Sequence, residues 1–227
     1  MAGVEVGVDE AGRGSVVGEL VVAAYAARTS EKRLLEEIGV RDSKVLTPAQ
    51  RLDIYRDLKG VGFFTVQAIP AREIDRENIN RLVTRAIARL VSRVMAHYGY
   101  LPTSIVIDRY GDEGGVVDAL TALGVQRSSI IVEEKADTKY PVVSAASIVA
   151  KVVRDARIEV LRRLHGVRGS GYPSDPETRE WLAEVFRRGG RPSYVRYSWE
   201  TVKKLGGPWI GRKRGARART LDEFLGV

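Results

Sequence analysis

No cysteine occurs in the 227-residue chain, which excludes disulfide bridges and thiolate-held metals alike. Histidine is almost as scarce, with only His97 and His165, so a histidine-built metal site lacks its ligands. Any cation bound here must sit among oxygen ligands, the preference of Mg²⁺ and Mn²⁺. No apolar run approaches the roughly 18 residues of a membrane-spanning helix. The first residues lack the charged-then-apolar pattern of a secretory leader, so the expected compartment is the cytoplasm. Acidic charge is in the minority, 29 Asp and Glu against 37 Lys and Arg. The formal charge of +8 favours a polyanionic partner such as nucleic acid, although a basic surface can also serve solubility alone.

Apolar residues make up 44% of the chain, ordinary for a globular protein. The alternation of Val4, Val6 and Val8 predicts a strand that ends at Asp9-Glu10 and the loop Ala11-Gly12-Arg13-Gly14. Strands are expected over residues 18–27 and 62–69, and the first three strands can pair as a meander. A short charged helix is expected from Glu31. Thr47 as N-cap, Pro48 at the first helical position and Gln50 closing a capping box mark another helix start. Leu82, Val83, Ala86, Ile87, Leu90, Val91, Val94 and Met95 recur at helical spacing, with Gly99 placed to end the helix. A buried strand at residues 104–108 is followed by a helix at 116–123 and a strand at 129–133. A long helix is expected from Pro141 to about Leu164, then a turn-rich loop and a helix after Pro176. Residues 1–205 read as one α/β domain with extra helices at its C-terminal end. Residues 206–227, rich in Gly, Arg and Lys, read as a mobile basic tail.

Four carboxylates stand out by position: Asp9 and Glu10 where the first strand meets a glycine loop, Asp108 at a strand end, and Asp137 before the long helix. Ligands of open α/β sheets gather at strand ends, so acids from separate elements can converge there. Two-metal hydrolysis of a phosphodiester needs such a cluster. Neighbouring strand residues face opposite ways, so Asp9 and Glu10 cannot both point inward on an ideal strand. Either the strand bends, or Glu10 acts differently, for instance through its backbone carbonyl. A lone Asp at a strand end is more often a turn or cap residue, and the four acids alone do not decide.

Their flanking residues add a resemblance. Gly7-Val8-Asp9-Glu10-Ala11-Gly12-Arg13-Gly14 closely resembles the opening signature of the ribonuclease HII family. Further blocks agree in order and spacing: Asp42-Ser43-Lys44, Ile107-Asp108, and Lys135-Ala136-Asp137 leading to Ser144-Ala145-Ala146-Ser147-Ile148-Val149-Ala150-Lys151 and Arg154-Asp155. Gly169-Ser170-Gly171-Tyr172-Pro173-Ser174-Asp175-Pro176 is similar to the archaeal branch. The similarity spans about residues 3–205.

The resemblance implies a ribonuclease H-like fold, a five-stranded mixed sheet flanked by helices with a helical C-terminal part. It implies Asp9, Glu10, Asp108 and Asp137 as metal-binding catalytic acids, with two Mg²⁺ or Mn²⁺ ions during catalysis. It implies cleavage of RNA in RNA/DNA hybrids, and 5′ of single ribonucleotides in duplex DNA, leaving 3′-hydroxyl and 5′-phosphate ends. A monomer fits the family. The family's Gly-Arg-Gly stretch, here Gly12, Arg13 and Gly14, is assigned to sensing the ribose 2′-hydroxyl, and Tyr172 matches a tyrosine that packs on the junction sugar. Bare glycine backbone can approach a ribose, and Arg13 offers a fork for phosphate. Ser144, Ser147, Lys151 and Arg154 fall at helical spacing and form a polar stripe that can meet phosphates, as can Lys44, with a solvated surface as the plainer alternative. Ala145, Ala146 and Ala150 lie on other faces, where they let the helix sit tightly on the sheet. Three positions depart from the family pattern: Ser15 and Glu19, where many members have proline, and Val83, where archaeal relatives often carry an acid.

In the tail, Thr220-Leu221-Asp222-Glu223-Phe224-Leu225 resembles a sliding-clamp-binding motif, with Leu221, Phe224 and Leu225 as plug residues and Ala218 in place of the usual glutamine. The basic residues between Arg212 and Arg219 can instead bind DNA, or the apolar tail can fold back on its domain. Three rivals remain. A dinucleotide-binding oxidoreductase would use residues 12–18, but the third glycine is one residue out of place and Asp9-Glu10 would repel a pyrophosphate. A non-catalytic nucleic-acid binder gains nothing from acids facing phosphates. Other ribonuclease H-like nucleases, such as resolvases, share the carboxylates without needing the Gly-Arg-Gly and Tyr172 features.

Overall fold

The computed structural model describes residues 3–40 and 46–208. In chain order the elements are β1 (Val4–Ala11), β2 (Leu20–Arg28), α1 (Lys32–Ile38), α2 (Pro48–Leu58), β3 (Phe63–Ile69), α3 (Ala71–Arg76), α4 (Ile79–Tyr98), β4 (Ser104–Asp108), α5 (Glu113–Ala122), β5 (Ile130–Glu133), α6 (Pro141–His165), α7 (Pro176–Arg187) and α8 (Glu200–Lys204). The five strands form one mixed sheet in the order β3-β2-β1-β4-β5. β1 is antiparallel to β2 and parallel to β4, and β5 continues parallel beside β4. This is the five-stranded mixed α/β sheet expected of a ribonuclease H-like fold.

Local chemistry sets the element ends. The Thr47 hydroxyl accepts from the Gln50 N–H at 3.3 Å while Gln50 Oε1 accepts from the Thr47 N–H at 2.9 Å, the reciprocal box that starts α2. Gly99 ends α4 in the left-handed region at φ +78°, its N–H returning to the Met95 carbonyl at 2.8 Å. β2 starts at Leu20 rather than at residue 18, because Gly18 turns the chain at φ +85° and donates to the Tyr194 carbonyl at 2.8 Å. α3 has no sequence signature, being too short for apolar periodicity to register, whereas α8 falls among the extra helices expected at the C-terminal end, without a bound of its own in the sequence.

The chain divides into two compact units. The first holds residues up to 11, 21–67 and 83–153. Its core is built on the central strands: Val6, Val8, Val21 to Ala27, Ile105 and Ile107 are buried, as are Ile87, Leu90 and Val94 of α4 and Val143, Ala146 and Val149 of α6. β2 reads as a continuous apolar run because both its faces are covered. At Gly7 the packing leaves no room for a side chain: a Cβ would lie 2.2 Å from the Val142 carbonyl carbon and oxygen. The second unit holds residues 12–20, 68–82 and those from 154 on. Val16, Val17, Val167, Trp181, Leu182, Val195 and Val202 form its own apolar cluster.

Candidate active site

The pairing of β1 with β4 sets the first two acids. Val8 is in register with Ile107, so the next residues, Asp9 and Asp108, sit at the same level of adjacent parallel strands and on one face. Asp9 is half-buried, and its carboxyl is pushed up to about 7, chiefly by desolvation. A hydrogen bond from the Ser147 side chain and one from the Glu10 N–H, at 2.7 Å, work in the opposite direction. The Asp108 charge adds to the rise, and the Lys151 ammonium partly offsets it. Ser147 and Lys151 therefore face Asp9 from one side of α6, where Ser144 and Ser147 are buried rather than solvated.

Asp108 is oriented by main chain, its Oδ1 accepting from the Ala136 N–H at 2.8 Å. That N–H belongs to a short 3-10 turn, Ala136–Thr138, entered through Lys135 at φ +55°. Among the described residues Lys135 is the one non-glycine residue with positive φ. The turn carries Asp137, 4% exposed, which lines a cavity of about 250 Å³ together with Ser144, Lys32 and Tyr140. Its base is braced by Glu133, which pairs with Lys139 and accepts from the Tyr140 hydroxyl at 3.0 Å.

The β1–β2 register runs unbroken through Ala11, so the ladder does not itself bring the Glu10 side chain to the face of Asp9. Among the described residues no three acidic or histidine side chains converge closely enough to hold a metal ion as they stand.

Of the other predicted contact residues, Gly12, Arg13, Gly14, Arg154 and Tyr172 lie in the second unit. Gly12 has φ +87°, and a Cβ there would meet the Glu19 carbonyl at 2.9 Å, so its glycine is structural. Gly14 is different: its φ is ordinary, it is exposed, and a Cβ would meet nothing within 4 Å. The Arg13 guanidinium donates to Asn80 Oδ1. Arg154 is buried; it donates to the Ser170 carbonyl, pairs with Asp155 at 3.2 Å, and stacks its guanidinium 4.5 Å from the Tyr172 ring centre. The departures from the family pattern have local reasons. Ser15 N–H and Oγ both donate to the Gly12 carbonyl, at 3.2 and 2.9 Å, bonds a proline could not make. Glu19 pairs with Arg157, and Val83 is buried in α4. Lys44 and the tail residues Leu221, Phe224 and Leu225 lie outside the described residues.

Arg196 escaped the sequence reading. It is fully buried and donates from Nη1 to the Arg13 carbonyl at 2.8 Å and from Nε to the Gly18 carbonyl at 3.1 Å. Desolvation and then the Arg154 charge lower its guanidinium to about 10, so it remains protonated at neutral pH. Nothing in Tyr194-Val195-Arg196-Tyr197 distinguishes it from a surface arginine.

A family model described as ribonuclease HII matches residues 6–202. Ribonuclease HII of Aeropyrum pernix is 62% identical over 224 residues, covering 99% of both chains. That of Hyperthermus butylicus is 42% identical, covering 97% of this chain and 95% of the relative. Among solved structures, ribonuclease H2 of Pyrococcus horikoshii OT3 superposes with a TM-score of 0.78 at 38% identity, covering 89% of this chain and 97% of that one. A ribonuclease HII of Archaeoglobus fulgidus, solved in complex with PCNA, has the same TM-score at 34% identity and covers 96% and 99%.

Proposed function

The chain belongs to the ribonuclease HII family, and from that premise of ribonuclease H activity we propose what it cuts and which residues do so. It hydrolyses the RNA strand of RNA/DNA hybrids. It also cuts on the 5′ side of ribonucleotides embedded in duplex DNA, leaving 3′-hydroxyl and 5′-phosphate ends. The observation that carries this reading is Asp9 beside Asp108, each one residue past the last paired residues of the parallel strands β1 and β4, with Ser147 and Lys151 turned toward Asp9. A carboxyl held up to about 7 by burial and a neighbouring acid is a site where a cation replaces the missing counter-charge.

The donor set fits hard divalent cations, Mg²⁺ or Mn²⁺, because every candidate ligand is oxygen. Asp9, Asp108 and Asp137 would hold them by their carboxylates, and Glu10 by its main-chain carbonyl or side chain. Two bound ions supply the Lewis acidity and charge neutralisation that phosphodiester hydrolysis requires. Before any ion arrives, the chain's own residues set the stage. Ser147 fixes the Asp9 rotamer by its hydrogen bond, and the Ala136 N–H fixes Asp108. Lys151 offsets negative charge where the substrate adds more.

Substrate recognition is assigned to Gly12, Arg13, Gly14 and Tyr172, with Lys44, Ser144, Ser147, Lys151 and Arg154 supporting the strand's phosphates. The open space at Gly14 supports close approach of a sugar, since packing does not demand a glycine there. Tyr172, backed by the Arg154 guanidinium, offers a flat face for a sugar or base. Residues 1–205 act as the catalytic part in the cytoplasm, as a monomer. The tail binds a sliding clamp through Leu221, Phe224 and Leu225, a reading supported by the Archaeoglobus fulgidus relative solved with PCNA.

Cleavage mapping on a duplex carrying one embedded ribonucleotide, with and without divalent metal, tests the whole. A metal-dependent cut on the 5′ side by the wild type, absent in Asp9→Asn and Asp108→Asn proteins that still fold, is expected. Near-normal turnover by either variant in Mg²⁺ refutes the site assignment.

A further inference from the structure

We propose that Arg196 is a positioning residue that orients the 12–14 loop so that the Gly14 N–H faces outward as a donor for the substrate's ribose. This rests on the reading of the chain as a ribonuclease that discriminates RNA from DNA. Among the described residues Arg196 is the largest fully buried side chain, and its guanidinium sits among main-chain carbonyls rather than in an acid pair. Burying a cation this way carries a desolvation penalty that an apolar residue of similar volume would avoid. Nor is the side chain needed to join the segments it crosses. The main chain does that, through Arg196 N–H to the Val16 carbonyl at 2.9 Å, Gly18 N–H to the Tyr194 carbonyl at 2.8 Å, and the Val17–Val195 bridge.

What the side chain adds is a reach beyond that pairing, to the Arg13 carbonyl at 2.8 Å. The Arg13–Gly14 peptide is planar and trans, so its carbonyl and its N–H point in opposite directions. Drawing the carbonyl toward a buried guanidinium therefore turns the Gly14 N–H away from the interior. There Gly14 is exposed, and nothing would crowd even an added Cβ. A charged donor on the carbonyl also polarises the peptide and makes that N–H a stronger donor. Gly12, by contrast, is fixed locally: its carbonyl is taken by Ser15. The oxygen of a ribose 2′-hydroxyl accepts what the Gly14 N–H offers, and a deoxyribose has no such group.

The test is equilibrium binding of two duplexes, one with a single embedded ribonucleotide and one all DNA, in an Asp9→Asn background that prevents cutting. Replacing Arg196 by Lys keeps the charge but loses the fork. The preference for the ribonucleotide duplex should fall about fivefold to tenfold, the worth of one hydrogen bond. Affinity for the all-DNA duplex should stay nearly constant, because a general loosening would weaken both. Should Arg196→Lys not fold by circular dichroism, glycolic acid in place of Gly14 removes the same N–H as an ester and leaves Arg196 intact. The same selective loss is then expected. Full retention of ribonucleotide preference in a folded Arg196→Lys protein, or in the ester protein, overturns the proposal. A parent protein that neither cuts nor prefers ribonucleotides overturns the functional reading instead.

Discussion

Replacing Gly7 by Ala tests the contact on which the candidate site is mounted. The added methyl would lie 2.2 Å from the Val142 carbonyl carbon and oxygen and 2.3 Å from the Val143 nitrogen. All three atoms are backbone of the first turn of α6, so no rotamer change relieves the clash. Restoring ordinary contact, at about 3.4 Å or more, needs α6 to retreat from β1 by roughly 1 Å. Overpacking of this kind costs about 1–3 kcal/mol, and a backbone clash belongs at the upper end. The lower unfolded-state entropy of alanine returns about 0.4–1 kcal/mol. A net loss near 2 kcal/mol lowers Tm by about 4–8 °C in a domain of this size. Because Ser147 rides on α6 and bonds Asp9, cleavage should fall more than stability at assay temperature explains. Gly14→Ala is the control, with open space at its Cβ and hence a nearly unchanged melting temperature. Calorimetric melts of both, with single-turnover cleavage by Gly7→Ala and wild type below the transition, measure the effect. A Gly7→Ala protein that melts within 1 °C of wild type would refute the tight β1–α6 contact.

Further outcomes are expected elsewhere. Asp175 caps α7 and accepts from the Ser170 N–H and from the Glu177 N–H at 3.0 Å, which hold its carboxyl down at about 2. Asp175→Ala should cost about 1 kcal/mol in denaturant titrations. Since the folded carboxyl lies below the unfolded value of about 3.9, its contribution is present above that pH and is lost as pH falls toward about 2. Asp175→Asn should therefore lose less stability than wild type across that window, and parallel curves would discount the carboxylate. Tyr172→Ala should slow cutting at an RNA–DNA junction more than in a continuous hybrid, and equal losses in kcat/KM would reject its recognition role. Deleting residues 217–227 should abolish retention on an immobilised sliding clamp while leaving cleavage of short duplexes unchanged, and undiminished retention would dismiss the tail motif.

Much of this was legible from local pattern. Thr47, Pro48 and Gln50 announced α2 because a capping box needs only neighbours in the chain, and the apolar stripe from Leu82 to Met95 announced α4 because a helix repeats its face every few residues. The motifs around Asp9, Asp108 and Asp137 pointed to a family, and so to oxygen-ligand chemistry, without a coordinate. The polar stripe on α6 was visible as spacing, but spacing could not tell that Ser144, Ser147 and Arg154 are buried rather than solvated.

Other features had no local signature. Strand register decides that Asp9 and Asp108 stand level, and register is a long-range choice between segments about 100 residues apart. Glycine looks the same whether it is needed for close packing, as at Gly7, for its φ, as at Gly12, or for neither, as at Gly14. Arg196 shows the difference most plainly, since an arginine in sequence is presumed to seek water. The chain by itself determined which chemistry is available, because ligand type and charge are properties of residues. Only the tertiary structure decided which groups are dry, which face one another and which carbonyl a buried cation holds, because desolvation and hydrogen-bond direction arise between segments that covalent order leaves far apart.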